Sequence, residues 1–104
     1  IIIEYLETLL PTNWDKMNLY ERRSFLSGND GRKGQVKRDK VCIMEIWCEC
    51  FYRERQDLRR IDSLEIEAIL GRIGGWERLS TNKSGKVRFE LYGTQRTFLR
   101  SEEE

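Results

Sequence analysis

Two groups of basic residues have the most specific chemistry in this sequence, and that chemistry is contact with phosphate. A lysine or arginine placed against a nucleic-acid backbone neutralises a phosphate and releases condensed counterions. The 104 residues carry a net charge of only +1, yet the basic residues concentrate in the run 32–40 and near residue 85. The two groups are Arg32, Lys33, Lys37, Arg38 and Lys40 in the run, and Lys83, Lys86 and Arg88 near residue 85. They predict DNA binding mainly through phosphates, and the alternative for the run is a solvated, flexible loop.

The cysteines are the other residues whose spacing suggests chemistry. Cys42, Cys48 and Cys50 lie within nine residues, but the sequence contains no histidine. Zinc sites usually need four ligands, mostly Cys and His, so these thiols are predicted to lie in the core. Free thiols are typical of a reducing, cytoplasmic compartment. Because a Ser or Cys nucleophile would also lack its usual base, we expect no catalytic, metal or cofactor site and no enzyme activity from this chain.

Two pairs of neighbouring carboxylates could also suggest chemistry. Glu45 and Glu49 are four residues apart, and Glu65 and Glu67 are two apart. Either pair could serve acid–base chemistry only if other groups converged on it. We expect both pairs to lie on solvated faces of helices.

Two helices are predicted before residue 30. Residues 1–10 place apolar side chains on one side and are stopped by Pro11. Asn18 and Glu21 form a capping-box pattern, which opens a second helix through residue 26. The glycine-rich segment 27–34 is typical of a loop.

The middle of the chain predicts two further helices. The apolar run 39–52 contains β-favouring residues but is longer than an ordinary strand, so we expect a largely buried helix. Asp62 and Glu65 form a second capping-box pattern that opens a helix over 62–73. The core face of this helix is predicted to be Ile66, Ile69, Leu70 and Ile73.

The last part of the chain predicts a β-hairpin. Residues 76–80 and 86–92 have the pattern of two strands around a turn-rich segment, 81–85. Helices followed by a hairpin predict an α+β, winged-helix-like fold, with three to four helices and the hairpin as its wing. The aromatic residues assigned to the core are Trp14, Trp47, Phe51, Trp76 and Phe89.

The helix 62–73 would enter a nucleic-acid groove in such a fold, and its composition leaves two functions open. Arg72 could read a base edge, and Arg59 and Arg60 add basic contacts before the helix. Glu65 and Glu67, however, would repel phosphates. The side opposite the core face is a strip that could accept another helix: Leu64, Ala68 and Gly71. A protein-docking module, packing on another domain of its own protein or on a neighbouring subunit, is therefore the alternative to DNA binding.

A family resemblance is carried by five stretches: Leu10–Asp15, Tyr20–Arg23, Cys42–Phe51, Ile73–Trp76 and Leu91–Arg96. They resemble the C-terminal part of the virulence-associated protein E family, whose members are P-loop ATPases of phages and phage-like genomic islands. The resemblance implies the segment after the motor of a mobile-element replication ATPase or helicase, and the two basic groups predict that this accessory domain binds DNA. The expected partners are DNA and the upstream ATPase domain, and an oligomer could form through the parent protein.

The resemblance also implies a division of the chain. Residues 1–11 would be the tail of an upstream domain or a linker helix, 12–100 the winged-helix-like domain, and 101–104 an acidic tail. The sequence has no G-x-x-x-x-G-K-[ST] motif, so ATP binding is not expected here, and no site residue is carried over from the family. The apolar opening is interrupted at Glu4, too early for a membrane span, so no membrane partner is expected.

Overall fold

The computed structural model describes residues 1–29, 31–80 and 84–101, which form helices and an antiparallel sheet. The helices are α1 (Ile2–Glu7), α2 (Leu19–Leu26), α3 (Ile43–Glu45), which continues as a π-helical turn (Ile46–Cys50), and α4 (Arg60–Ile73). The strands are β1 (Lys40–Cys42), β2 (Trp76–Arg78), β3 (Lys86–Phe89) and β4 (Gly93–Arg100). Short 3-10 turns occupy Trp14–Lys16 and Arg55–Asp57. The predicted α+β class, with helices followed by a β-hairpin, is confirmed.

Strand β4 is the centre of the sheet. Its second half pairs with β1 on one edge and β2 on the other, with Phe98 opposite both Val41 and Arg78. Its first half pairs with β3, with Phe89 opposite Gly93. All of these pairings are antiparallel.

The hairpin forms between different strands from those predicted. Within the described residues, β2 and β3 each pair with β4 and not with each other. Residues 90–92 form the tight turn of the real hairpin, and Gly93 follows with φ 77°, a backbone conformation that favours glycine. The predicted strand 86–92 therefore ends at Phe89, and the predicted pairing of 76–80 with 86–92 is wrong.

The predicted single helix over 39–52 is divided into a strand and a helix. Val41 and Cys42 are completely buried opposite Phe98 and Thr97 of β4, so pairing with the sheet overrides the length of the apolar run. The helix then runs from Ile43 and widens at its end, where the Phe51 N–H donates to the Ile46 carbonyl at 3.1 Å.

One capping prediction is confirmed and the other is wrong. The Asn18 side chain accepts from the Glu21 N–H at 2.8 Å, and the Glu21 carboxylate accepts from the Asn18 N–H at 2.9 Å. Helix α4 begins two residues earlier than predicted. Asp62 caps it by accepting from the Arg59 N–H at 3.1 Å, so Glu65 is not part of the cap.

The main core lies between the helices and the sheet. Ile66 and Leu70 of α4 are buried there, with Ile69 and Ile73 packed partly against it, which confirms the predicted core face. Trp14, Trp76 and Phe89 are buried, and Trp47 and Phe51 are partly buried against the core. In the described ranges, no helix is long and apolar enough to cross a membrane.

Residues 1–11 contribute to this core. Ile2, Tyr5 and Leu6 are buried in the same cluster as Ile66 and Leu70. The end of the segment is fixed as well, because the Leu10 N–H donates to the Val36 carbonyl at 2.7 Å. Gly34 lets the two segments approach, since a Cβ atom there would collide with the Leu9 carbonyl.

Candidate functional site

Four charged side chains are buried together in the interior of the protein. Arg22, Arg38, Glu45 and Glu49 are each at most 3% exposed. Arg22 Nη1 lies 2.8 Å from Glu49 Oε2 and 3.3 Å from Glu45 Oε2. Arg38 Nη1 lies 3.5 Å from the same Glu45 oxygen. The prediction that Glu45 and Glu49 lie on a solvated helix face is therefore wrong, because two guanidinium groups neutralise them inside the protein.

Two tyrosines complete the hydrogen bonding of Glu49. The Tyr5 hydroxyl donates to Oε1 at 2.7 Å, and the Tyr92 hydroxyl donates to Oε2 at 2.6 Å. Charge-assisted hydrogen bonds of this kind are stronger than neutral ones. Glu49 thus connects α1, α2 and the turn of the β3–β4 hairpin through one carboxylate.

The aromatic rings around the cluster contact the guanidinium groups. The Arg22 guanidinium carbon lies 4.6 Å from the Trp14 ring centroid, and that of Arg38 lies 4.3 Å from the Tyr5 ring centroid. These distances allow cation–π attraction, which is stronger where water is excluded. The rings therefore help to hold two buried cations in fixed positions.

The environment of Glu45 raises the pKa of its carboxyl group. Burial raises the pKa of Glu45 to about 7, with Glu49 acting in the same direction, although Arg38 and Arg22 oppose both effects. Burial lowers the pKa of Arg38, but the neighbouring Tyr5, Glu45 and Glu49 outweigh burial, so the net shift is upward. The net shift of the Arg22 pKa is upward as well, because Glu49 and Glu45 outweigh the effect of its burial, so both arginines remain charged.

Three donors beside this cluster have no hydrogen-bond partner in the described structure. They are Trp14 Nε1, Arg38 Nε and Arg38 Nη2, and both residues line a cavity of about 110 Å³. Arg22 Nε is also without a partner, but Arg22 does not line this cavity.

The β3–β4 hairpin has an exposed basic face. Lys86 and Arg88 alternate with buried or partly buried residues along β3, and both are exposed as predicted. Lys86 is paired with Arg96 of β4, so Arg96, which is also exposed, joins them on one face of the hairpin. The sequence prediction missed Arg96 because it did not identify β4 as a strand. We call Lys86, Arg88 and Arg96 the hairpin basic face.

The run 32–40 is only partly available to a ligand on the surface. Arg32, Lys33 and Lys37 are exposed. Lys40 is partly buried, with Nζ 4.9 Å from the Phe89 ring centroid. Arg38 belongs to the buried cluster, so its predicted contact with a DNA backbone at the surface is wrong. The run is also less free than a flexible loop, because the N–H groups of residues 35 and 36 both donate to the Leu10 carbonyl at 2.9 Å.

The basic residues around α4 are exposed but stand beside carboxylates. Arg59, Arg60 and Arg72 are all exposed, and Arg59 Nε lies 3.3 Å from Asp62 Oδ2. Glu67 is paired with Arg78 of β2, which offsets the repulsion expected from it. Lys83 lies outside the described residues.

The strip on the outer side of α4 is exposed. Leu64 is 52% exposed and Ile61, which extends the strip by one turn, is 65% exposed. Ala68 and Gly71 are also exposed.

The three cysteine side chains lie in or beside the hydrophobic core, as predicted. Cys42 and Cys48 are completely buried and Cys50 is partly buried, and all three are free. No three metal-ligating side chains converge among the residues that the structure describes.

No family model matches the chain, and no curated protein matches it. Membership of the virulence-associated protein E family therefore stays a prediction that rests on the five sequence stretches.

Proposed function

We propose that this domain binds DNA through the phosphate backbone, with the hairpin basic face as its main contact. The observation that carries the proposal is the register of β3 and β4, which brings Lys86, Arg88 and Arg96 to one exposed face. Residues directly opposite on paired strands have Cβ atoms about 5 Å apart, so three cations are concentrated in a small area. Such a cluster neutralises phosphates of any sequence.

The run 32–40 supports the proposal as a second contact. Arg32, Lys33 and Lys37 are exposed, and the hydrogen bonds to Leu10 hold the segment against the body of the domain. A positioned basic segment loses less conformational entropy on binding than a free loop does. Arg59, Arg60 and Arg72 would add contacts near α4, where the guanidinium of Arg72 would supply the two donors that pair with a guanine edge.

The biological setting in this proposal comes from the family resemblance and from the thiols. The resemblance supports an accessory role in the replication of phages or mobile elements, next to an upstream ATPase domain. Free thiols favour a reducing compartment such as the cytoplasm.

The test is a salt titration of DNA binding by this chain. Fluorescence anisotropy with labelled duplex and single-stranded DNA should give an affinity that falls steeply as salt increases. Arg96→Ala should make the slope of log affinity against log salt shallower by about 0.9 on duplex DNA. Arg53→Ala is the matched control, because Arg53 is exposed but lies outside both basic groups. It should leave the slope nearly unchanged.

The alternative function is protein docking through the strip on α4. The exposure of Ile61 and Leu64 favours it, because adjacent large apolar side chains are exposed there. If the chain shows no salt-dependent affinity for either DNA, the DNA proposal is wrong. A contact with the upstream ATPase domain that Leu64→Glu abolishes and salt leaves intact would then support docking.

A further inference from the structure

Tyr52 occupies a position where the backbone favours glycine. It lies two residues after the π-helical turn that ends α3, and its φ is 58°, in the left-handed region that a bulky residue rarely adopts. Burial of the ring does not offset this unfavourable conformation, because Tyr52 is 49% exposed. A strained backbone that presents an aromatic side chain to solvent indicates a contact with a ligand.

The side chain of Arg23 holds the ring of Tyr52 in place. Arg23 Nε donates to the Cys48 carbonyl and Nη2 donates to the Arg53 carbonyl, both at 3.0 Å, so the guanidinium is fixed to the main chain on both sides of Tyr52. The guanidinium carbon lies 5.5 Å from the Tyr52 ring centroid, which allows cation–π attraction. A ring that is already positioned loses little freedom when another planar group stacks on it.

A groove beside this ring has room for one flat group. Its volume is about 210 Å³. At roughly 30 Å³ per liquid water, this space corresponds to about seven waters. Tyr52, Leu26 and Thr8 line the groove, and Glu4 is the exposed carboxylate among its lining residues. That carboxylate would repel a phosphate, whereas the uncharged base of a nucleotide can stack on the tyrosine ring.

The segment 52–55 connects this groove to the hairpin. Arg55 is exposed, and its Nη2 donates to the Tyr92 carbonyl at 2.8 Å, in the turn between β3 and β4. Tyr52 and Arg55 are three residues apart, so their Cα atoms are separated by at most about 11 Å. A DNA strand held by the hairpin basic face could therefore continue past Arg55 to the groove.

We propose that the groove beside Tyr52 binds one unpaired base of single-stranded DNA, which stacks on the tyrosine ring. The inference rests on the proposed DNA binding and adds to it a preference for single strands. Because the bases of a duplex are already stacked on one another, a duplex would use the hairpin basic face without this groove. Stacking on a ring accepts any base, so no sequence preference is expected from it.

The inference is tested by fluorescence anisotropy at constant salt, with a single strand of about twelve nucleotides, a length in the range that one small single-strand-binding domain contacts. Tyr52→Gly removes the ring and should weaken binding of the single strand about tenfold, as expected for the loss of one stacked base. Its affinity for duplex DNA should stay the same. Its urea midpoint should not fall, because glycine favours a positive φ. Tyr52→Phe keeps the ring and should retain the affinity for the single strand.

Two controls assign the effect to a base in this groove. Tyr20→Ala removes another exposed ring, 81% exposed at the start of α2, and should leave the affinity unchanged. A strand of the same length that carries abasic sites has phosphates but no bases. The unaltered chain and Tyr52→Gly should bind this abasic strand equally.

The outcomes that overturn the inference differ from those that overturn DNA binding itself. If Tyr52→Gly binds the single strand as the unaltered chain does while Arg96→Ala weakens binding, the groove is not a base site and the proposed function stands. If Tyr20→Ala weakens binding as much as Tyr52→Gly, any exposed ring has the same effect and the groove is not a specific site. If the unaltered chain has no salt-dependent affinity for any DNA, both the proposed function and this inference are wrong.

Discussion

Replacing Glu49 by glutamine removes one negative charge from the centre of the buried cluster while keeping the shape of the side chain. In the native structure its carboxylate accepts from Tyr5 at 2.7 Å, from Tyr92 at 2.6 Å and from Arg22 at 2.8 Å. Glutamine keeps only one of the two acceptor oxygens, so a tyrosine hydroxyl that now donates would have to accept from the NH₂ group and would lose its charge-assisted hydrogen bond. Arg22 would also lose its closest counter-charge.

The expected loss is a large part of the stability of a small domain. Removing one partner of a buried ion pair costs about 3–5 kcal/mol, because it leaves an uncompensated buried charge. The lost hydrogen bonds belong to the same interactions, so they are not added separately. A domain of this kind has a free energy of unfolding of about 5–15 kcal/mol. With an m-value of about 2 kcal/mol/M, the urea midpoint should fall by about 2 M.

The assay is urea unfolding followed by tryptophan fluorescence, with Glu54→Gln as the matched control. Glu54 is 61% exposed and its carboxylate lies 3.9 Å from Arg23, so its loss should cost less than about 1 kcal/mol. If Glu49→Gln is no more destabilised than Glu54→Gln, the buried cluster does not stabilise the domain in the way described.

Three further predictions concern the buried Glu45, two glycines and two cysteines. The pKa of about 7 at Glu45 means that the folded chain retains a proton that the unfolded chain loses near 4.5. The free energy of unfolding of the unaltered chain, measured against that of Glu45→Gln, should therefore fall by up to about 3 kcal/mol as pH rises from about 4.5 to about 7. A rise in this difference with pH would contradict the prediction. Gly34→Ala should lower the free energy of unfolding by about 1–3 kcal/mol, because the added Cβ atom would meet the backbone of Leu9. Gly71→Ala has open space for its Cβ atom and should raise the free energy of unfolding by up to about 1 kcal/mol. Thermal unfolding measures both changes. Burial raises the pKa of both the Cys42 and the Cys50 thiols, but only Cys50 is partly exposed. Iodoacetamide should therefore modify Cys50 first in the native state, as mass spectrometry would detect, and the two alike in urea.

Interactions within a few residues were predictable from the sequence. The capping box of Asn18 and Glu21 is complete within four positions, and the structure forms it as expected. The apolar spacing of Ile66 and Leu70 predicted the buried face of α4, because a helix places residues four apart on one side. The exposure of Lys86 and Arg88 followed from strict alternation along one strand.

The pairing of the strands was not predictable in the same way. Strand β4 contains Thr94 and Arg96 on its exposed side and has little apolar character in its first half, so the sequence gives it a weak strand pattern. It becomes a strand because three other segments hydrogen-bond to it. The partners lie far apart in the chain, as with Val41 and Phe98, and no local signal records such a contact.

The burial of the charged cluster could not be predicted from the local sequence either. The spacing of Glu45 and Glu49 established that both side chains lie on one line of a helix, whatever surrounds it. Whether that line faces water or the interior depends on Arg22 and Arg38, which arrive from α2 and from the segment before β1. A carboxylate can be buried only where a counter-charge and donors meet it, so its environment is set by segments that the chain brings together on folding.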